Sequence, residues 1–358
     1  MLYREAGDFK TSYASDNQTF PIRFDRYAYW VLLLLAVCVV PFFLNDYWTK
    51  SIIVPFLIYV IAALGLNILI GYCGQLSLGT GAFMAVGAYA TFKLTVMAPG
   101  LNVFAVFILA GLITAAVGVL FGLPSLKIKG FYLAVATLAA QFFLIWLFTR
   151  QGWFFNYSPT GMISMPERSM LGFTVTGPTA SASAIYLTCL FFVILMSWLA
   201  RNLTRGTVGR TWMAIRDMDI AAEIIGVNPL IAKLTAFAVS SFFVGVAGAL
   251  LFGIQLGAAE AGEAFGINKS FLVLFMVIIG GLGSILGSFL GAAFLVVLPV
   301  ILKVLLVDTL GWPSDLARHL EVMIIGALIV LVLILEPHGM AALWRTIKDK
   351  LRLWPFPH

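Results

Sequence analysis

The chain has 358 residues, of which 61% are hydrophobic and 11% charged, with a mean hydropathy of +1.02 and a net charge of +6. A soluble domain carries about 25% charged residues, so this composition excludes an ordinary globular enzyme; repeated apolar runs near 20 residues identify an all-α polytopic membrane protein. The short alternating segments of a membrane barrel do not occur, and the placement of the basic residues accounts for the net charge without a nucleic-acid partner.

In chain order, residues 1–28 read as a polar N-terminal tail and the first span begins near Tyr29. The apolar run from Ser51 to Ala98 is too long for one crossing, and the glycine-rich stretch Gly71 to Gly81 divides it into two spans or a span plus a re-entrant element. Spans follow at Val103 to Leu123 and Phe131 to Phe148. Residues 150–184 form the longest polar interval, punctuated by glycine and proline, with Phe173 to Thr176 as a possible small strand. A span at Ile185 to Leu203 leads into a charged loop, 204–230. A span from Ile231 to Gly257 comes next, then the overlong run Phe271 to Leu306, broken near Gly280–Gly283, and a last span from Leu320 to Leu335. Residues 29–335 are thus a transmembrane domain of about 8–10 helices with glycine-rich broken or re-entrant segments, and 336–358 a basic tail. Cys38, Cys73 and Cys189 lie in or beside apolar runs and read as packing residues.

An N-terminus inside and ten crossings place 15 of the 22 lysines and arginines inside; the others are Lys50, Lys93, Arg150, Arg168, Lys269, Lys303 and Arg318. This asymmetry puts both termini and the loop 204–230 in the cytoplasm and 150–184 in the periplasm.

Irregular backbone at membrane depth is tolerated only where protein or a water-filled cavity covers it, and glycine-interrupted segments in both halves point to a transport site. Gly74, Gln75, Ser77, Gly79 and Gly81 in the first break, and Gly281 and Gly283 in the second, are therefore candidates for the translocation path. Gln75, Ser77 and Thr80 offer hydrogen-bonding groups, and freed amides there suit a carboxylate. Close helix packing is an equal reading, because Gly283, Gly287 and Gly291 form a small-xxx-small series, as do Gly118 and Gly122. Asn67, Gln141, Ser240, Ser241 and Gln255 are expected to bond neighbouring helices. No span carries an internal carboxylate of the kind a proton- or sodium-coupled carrier needs, and there is no phosphate-binding Gly-Lys-Ser/Thr loop. His319, His338 and His358 are scattered at ends, so neither a metal site nor a catalytic residue is expected. A path without its own energy source implies an engine in another subunit.

The loop 204–230 is the most charged segment between two long apolar runs. Val208, Trp212 and Ile215 share one face of a short helix, Asp217 or Asp219 is placed to cap a second, Gly226 ends it, and Pro229 prevents its continuation. Charge alone fits a solvated connection as well as a docking element. Ile220–Gly226, with Ala221, Ala222 and Glu223 inside it, resembles the Ala-Ala-x-x-x-Gly core of the cytoplasmic loop of ABC importer permeases. It departs from the general pattern at Ile220, where an acidic residue is usual, and lacks a following Ile-x-Leu-Pro. Together with Gly74–Phe83 it is closer to the branched-chain amino acid permeases of the LivM type, a resemblance covering roughly Ile52 to Leu335.

That resemblance implies a transport subunit rather than an enzyme: one transmembrane permease of an ATP-driven importer in a bacterial inner membrane, for branched-chain or related amino acids. It implies a second homologous permease, two ATP-binding subunits that carry ATP and magnesium, and a periplasmic solute-binding protein as partners, besides the lipid bilayer. Arg210, Arg216, Ala221, Ala222, Glu223 and Gly226 would form the ATPase-coupling surface. A stand-alone carrier or channel for a small amphipathic solute is the rival reading, and a membrane-embedded enzyme a weaker one.

Overall fold

The computed structural model describes residues 11–12, 23–43, 45–125, 131–170, 173–177, 180–335 and 338–353. Most of the N-terminal segment before Arg23, and the basic turn with Lys127 and Lys129, lie outside them. Among the described residues the chain is all-α apart from four short strands. In order, α1 is Arg26–Phe42, α2 Asp46–Tyr72, α3 Thr80–Met97, α4 Val103–Ser125, α5 Phe131–Arg150 and α6 Ala182–Arg205. Then come the short helices α7, Thr207–Asp217, and α8, Asp219–Ile224. Helix α9 is Pro229–Leu256, α10 Ala261–Ala264, α11 Ile267–Gly280, α12 Ile285–Thr309, α13 Ser314–Leu335 and α14 Met340–Leu353. Among the described residues seven helices are long and apolar enough to cross a membrane.

Helices α2 and α9 bury 78% of their most apolar stretch, whereas the other candidate spans bury 33–44%. The two therefore form the axis, and the rest wrap it with one flank left for lipid or a partner. Helix α9 packs on α2, α3 and α4, and glycine allows the approach: a Cβ on Gly248 would overlap the Met84 carbonyl of α3, and one on Gly118 the Ser241 side chain. Gly287 and Gly291 of α12 likewise lie against the Gly280 and Met276 carbonyls of α11. The packing reading thus holds for Gly118, Gly287 and Gly291, and the second break is Gly281–Ser284.

Helix starts follow local chemistry. The Asn228 side chain accepts from Leu230 and Ile231 with Pro229 in the first turn of α9, and Ser284 caps α12 through the Gly287 amide. The two ends of the bundle differ. At one end β1, Ile163–Ser164, pairs antiparallel with β4, Ala258–Ala259, while β2, Arg168–Met170, pairs with β3, Phe173–Thr176. Arg168 reaches back to the carbonyls of Thr95 and Pro99 at the end of α3. At the opposite end lie α7, α8, the point where the two glycine breaks meet and α14, whose approach is closed by Gly339 packed on the Gly281 backbone.

Candidate functional site

The first break is a helix end followed by an extended strand of chain. Helix α2 stops at Tyr72, Gly74 turns with φ +71°, and residues 73–79 run without helix until α3 begins. Gln75, Ser77 and Gly79 are buried while Leu76 and Leu78 are half-buried, the alternation of an extended segment. Side chains from two neighbouring helices take its amides. Leu78 N–H donates to Thr137 Oγ1 at 2.9 Å and Ala82 N–H to Gln141 Oε1 at 2.6 Å, both on α5; Gly81 N–H donates to Ser270 Oγ on α11 at 2.7 Å. The freed amides expected for a carboxylate are thus largely occupied, because a helix start inside a bilayer must satisfy its donors within the protein. Gln75 Oε1 remains buried with no hydrogen-bond partner.

The two breaks, far apart in sequence, meet. Asn67, 1% exposed, accepts from the Gly283 amide at 2.9 Å and donates to the Ser284 carbonyl at 2.8 Å and Ser288 Oγ at 3.0 Å. Its neighbour Gly71 lies so close to Gly283 that a Cβ would overlap the Gly283 amide. Asn67, Gln141 and Gln255 all bond neighbouring elements, the last through the Lys50 carbonyl.

The charged loop is tied to the same point. Arg216, the last arginine of α7, donates from Nη1 to the Gly71 carbonyl at 2.8 Å and pairs through Nε and Nη2 with Asp217 at 2.9 Å. A cation on the last carbonyls of α2 is favoured both by the hydrogen bond and by the helix dipole. Gly74 must be glycine twice over: its φ is positive, and a Cβ would sit 3.0 Å from Arg216 Cγ. Arg216 therefore belongs to the joint between loop and breaks. Arg210 is exposed elsewhere on α7.

Helix α7 is anchored by Trp212, fully buried with Nε1–H donating to Thr235 Oγ1, and by Ile215. Val208, the third residue of the expected face, is exposed, so the anchored face is narrower than the spacing predicts. Neither Asp217 nor Asp219 caps α8; the capping position is Met218, and Asp219 lies in the first turn, where its charge favours the dipole. Gly226 ends α8 at φ +93°, with its amide on the Glu223 carbonyl and the Val227 amide on the Ala222 carbonyl. This is a Schellman end. Ala222 is buried against the bundle, at 2% exposure, so it faces inward rather than outward. The outward face of α8 carries Met218, Ile220, Ile224 and Ile225, all more than 60% exposed, with Ala221, Glu223 and Gly226 also exposed. Sequence reasoning missed this patch by attending to the small residues; four large apolar side chains around a short polar helix were the available signal.

Comparison with known proteins agrees with this architecture. Residues 49–333 match the family described as branched-chain amino acid transport system, permease component. The high-affinity branched-chain amino acid transport system permease protein LivM of Escherichia coli is 33% identical over 334 residues, covering 88% of this chain and 74% of that protein. The corresponding LivM of Salmonella typhimurium is 31% identical over 335 residues, covering 88% and 75%. A probable LivM of Methanocaldococcus jannaschii is 25% identical over 330 residues, covering 81% and 92%. No solved structure matches. The chain is a multi-pass transport protein and belongs to the permease-component family of branched-chain amino acid transport systems.

Proposed function

We propose that this chain is one transmembrane subunit of an ATP-driven importer for branched-chain or related amino acids in a bacterial inner membrane. Both termini and the 204–230 loop face the cytoplasm, and 150–184 faces the periplasm. Partners are a second, homologous permease, two ATPase subunits holding ATP and magnesium, and a periplasmic solute-binding protein. The observation that carries this reading is the bare apolar patch Met218, Ile220, Ile224 and Ile225 on a helix pair whose Arg216 is bonded to the backbone of the first break. Exposed apolar patches outside a bilayer are characteristic of protein contacts. With Ala221 and Gly226 beside it and Arg210 and Glu223 on its rim, the patch suits a groove on an ATPase subunit, buried anchors contributing more than rim charges.

The extended segment with Gly74, Gln75, Ser77, Gly79 and Gly81, and the turn at Gly281 and Gly283, border the translocation path in this reading. The test is co-purification of the ATPase subunits, solute-stimulated ATP hydrolysis and leucine uptake by the reconstituted complex, with Ile224→Asp/Ile225→Asp as the perturbation. Loss of all three with the permease still inserted is expected. Leucine uptake by this chain alone, without ATPase subunits, would instead establish the stand-alone carrier.

A further inference from the structure

Lys269 occupies a place where a lysine is costly. It lies on α11, and about 16 Å of helix separates it from Gly280 at the end where the glycine breaks meet. That is half the thickness of a hydrocarbon core of about 30 Å. A second measure agrees. Lys269 Nζ donates to Tyr59 Oη at 2.9 Å and lies 5.6 Å from that ring's centroid. Tyr59 is the midpoint of the 27-residue α2, one of the two most buried helices.

The neighbouring Ser270 receives the Gly81 amide, so the start of α3 is at the same level. Among the described residues no carboxylate pairs with Lys269; its hydrogen bond goes to a neutral phenol, and its side chain is half-buried. An ammonium at this depth is not left facing lipid. Its open flank therefore faces water or protein.

We propose that Lys269, oriented by Tyr59, is a solute-binding residue at mid-membrane that receives the carboxylate of the transported amino acid. This rests on the importer reading above. A solute carboxylate crossing the bilayer needs a counter-charge where water is scarce, and Lys269 is a cation at that depth without an acid of its own. Tyr59 holds the ammonium by its hydrogen bond while leaving the other protons free.

The test uses the assembled importer in proteoliposomes with radiolabelled leucine, and Cys38, Cys73 and Cys189 replaced by alanine. Lys269→Met is expected to lower kcat/KM for uptake by about 10-fold or more, the size of one charge-assisted hydrogen bond, and Lys269→Arg to retain much of it. Lys269→Cys should react with water-soluble methanethiosulfonates. The aminoethyl reagent, which restores a cation, should recover uptake, whereas the neutral methyl and anionic sulfonatoethyl reagents should not.

Wild-type uptake by Lys269→Met, or equal recovery with all three reagents, overturns the carboxylate role while leaving the importer reading intact. Failure of the parent complex to take up leucine with ATP defeats the importer reading instead. If Lys269→Met does not co-purify with its partners, the labelling of Lys269→Cys decides, and no reaction with any water-soluble reagent overturns the proposal.

Discussion

Replacing Asn67 by leucine should loosen the joint between the two glycine breaks, and the size of the effect can be worked out. Leucine keeps the branched shape but its methyls are bulkier than the amide oxygen and nitrogen, so the three lost hydrogen bonds set the lower limit of the cost. The Ser284 carbonyl keeps its bond from the Ser288 amide, and the Ser288 hydroxyl can turn to the same carbonyl one helical turn back. The Gly283 amide has no such substitute: it sits in a left-handed turn pressed on Gly71, where water has no room. One orphaned buried donor costs about 1–3 kcal/mol, and interhelical hydrogen bonds in membranes average about 0.6 kcal/mol. A total near 2 kcal/mol follows. Cys73, 2% exposed and six residues along the chain, is a natural reporter. Its reaction with a thiol dye in detergent should quicken by about 30-fold if labelling follows opening of this end of α2. Asn67→Asp should be at least as damaging, since it keeps the acceptor for Gly283 but sets a carboxylate against the Ser284 carbonyl. A change of less than threefold in both variants would show that Asn67 does not hold the breaks together.

Gly81→Ala places a Cβ 2.8 Å from the Phe265 carbonyl and 3.0 Å from Ser270 Oγ, so it should lower the detergent melting temperature and the yield of assembled complex; normal assembly with lost uptake would make Gly81 a path residue instead. In a background without native cysteines, Ser164→Cys should react with an impermeant thiol reagent in intact cells and Thr207→Cys should not; the reverse pattern inverts the orientation. In Gly226→Asp the new Cβ meets no atom within 4 Å, so the cost is the left-handed strain of about 1 kcal/mol plus a charge on the exposed face of α8. The spans should insert normally while solute-stimulated ATP hydrolysis and uptake are lost, and normal values of both would make the loop a passive connector.

The sequence makes the breaks legible because apolar runs twice the length of a span must be divided, and glycine marks where. The short helices of the loop are legible from Trp212 and Ile215 at helical spacing and from the glycine that ends α8. What it conceals is tertiary. Nothing in the neighbourhood of Asn67 announces that its partners are Gly283, Ser284 and Ser288, and Thr137, Gln141 and Ser270 satisfy amides at least 59 residues away. Two signals were present but outweighed. Read for charge alone, residues 336–358 form a basic tail, yet Leu343, Trp344 and Ile347 sit on one face of the helix α14. Beginning the penultimate apolar run at Phe271 puts Lys269 at a span end. Only ten residues then remain before Gly281, about 15 Å of helix, half a bilayer, so the helix must reach back through Lys269 and carry it to mid-depth.

One arginine has leverage over this joint because of how the helices are tied together. The chain turns at Gly281 at the loop end of the bundle, and Asn67 fixes that turn to the end of α2. Helix α2 continues unbroken from Gly71 to Tyr59, about 18 Å, and Tyr59 holds Lys269 on α11. Helix α2 is thus tied at two levels, by Asn67 to the turn after α11 and the start of α12, and by Tyr59 to Lys269 of α11, and α3 is joined to the upper contact through Ser270. Arg216 grips the lower corner by a backbone carbonyl rather than by a side chain that could change rotamer. A displacement of α7 therefore moves the end of α2 directly. Since packed helices shift between discrete arrangements instead of deforming smoothly, a push on the outward face of α8 under the importer reading would reach Lys269 as a rigid tilt of the α2–α11 pair.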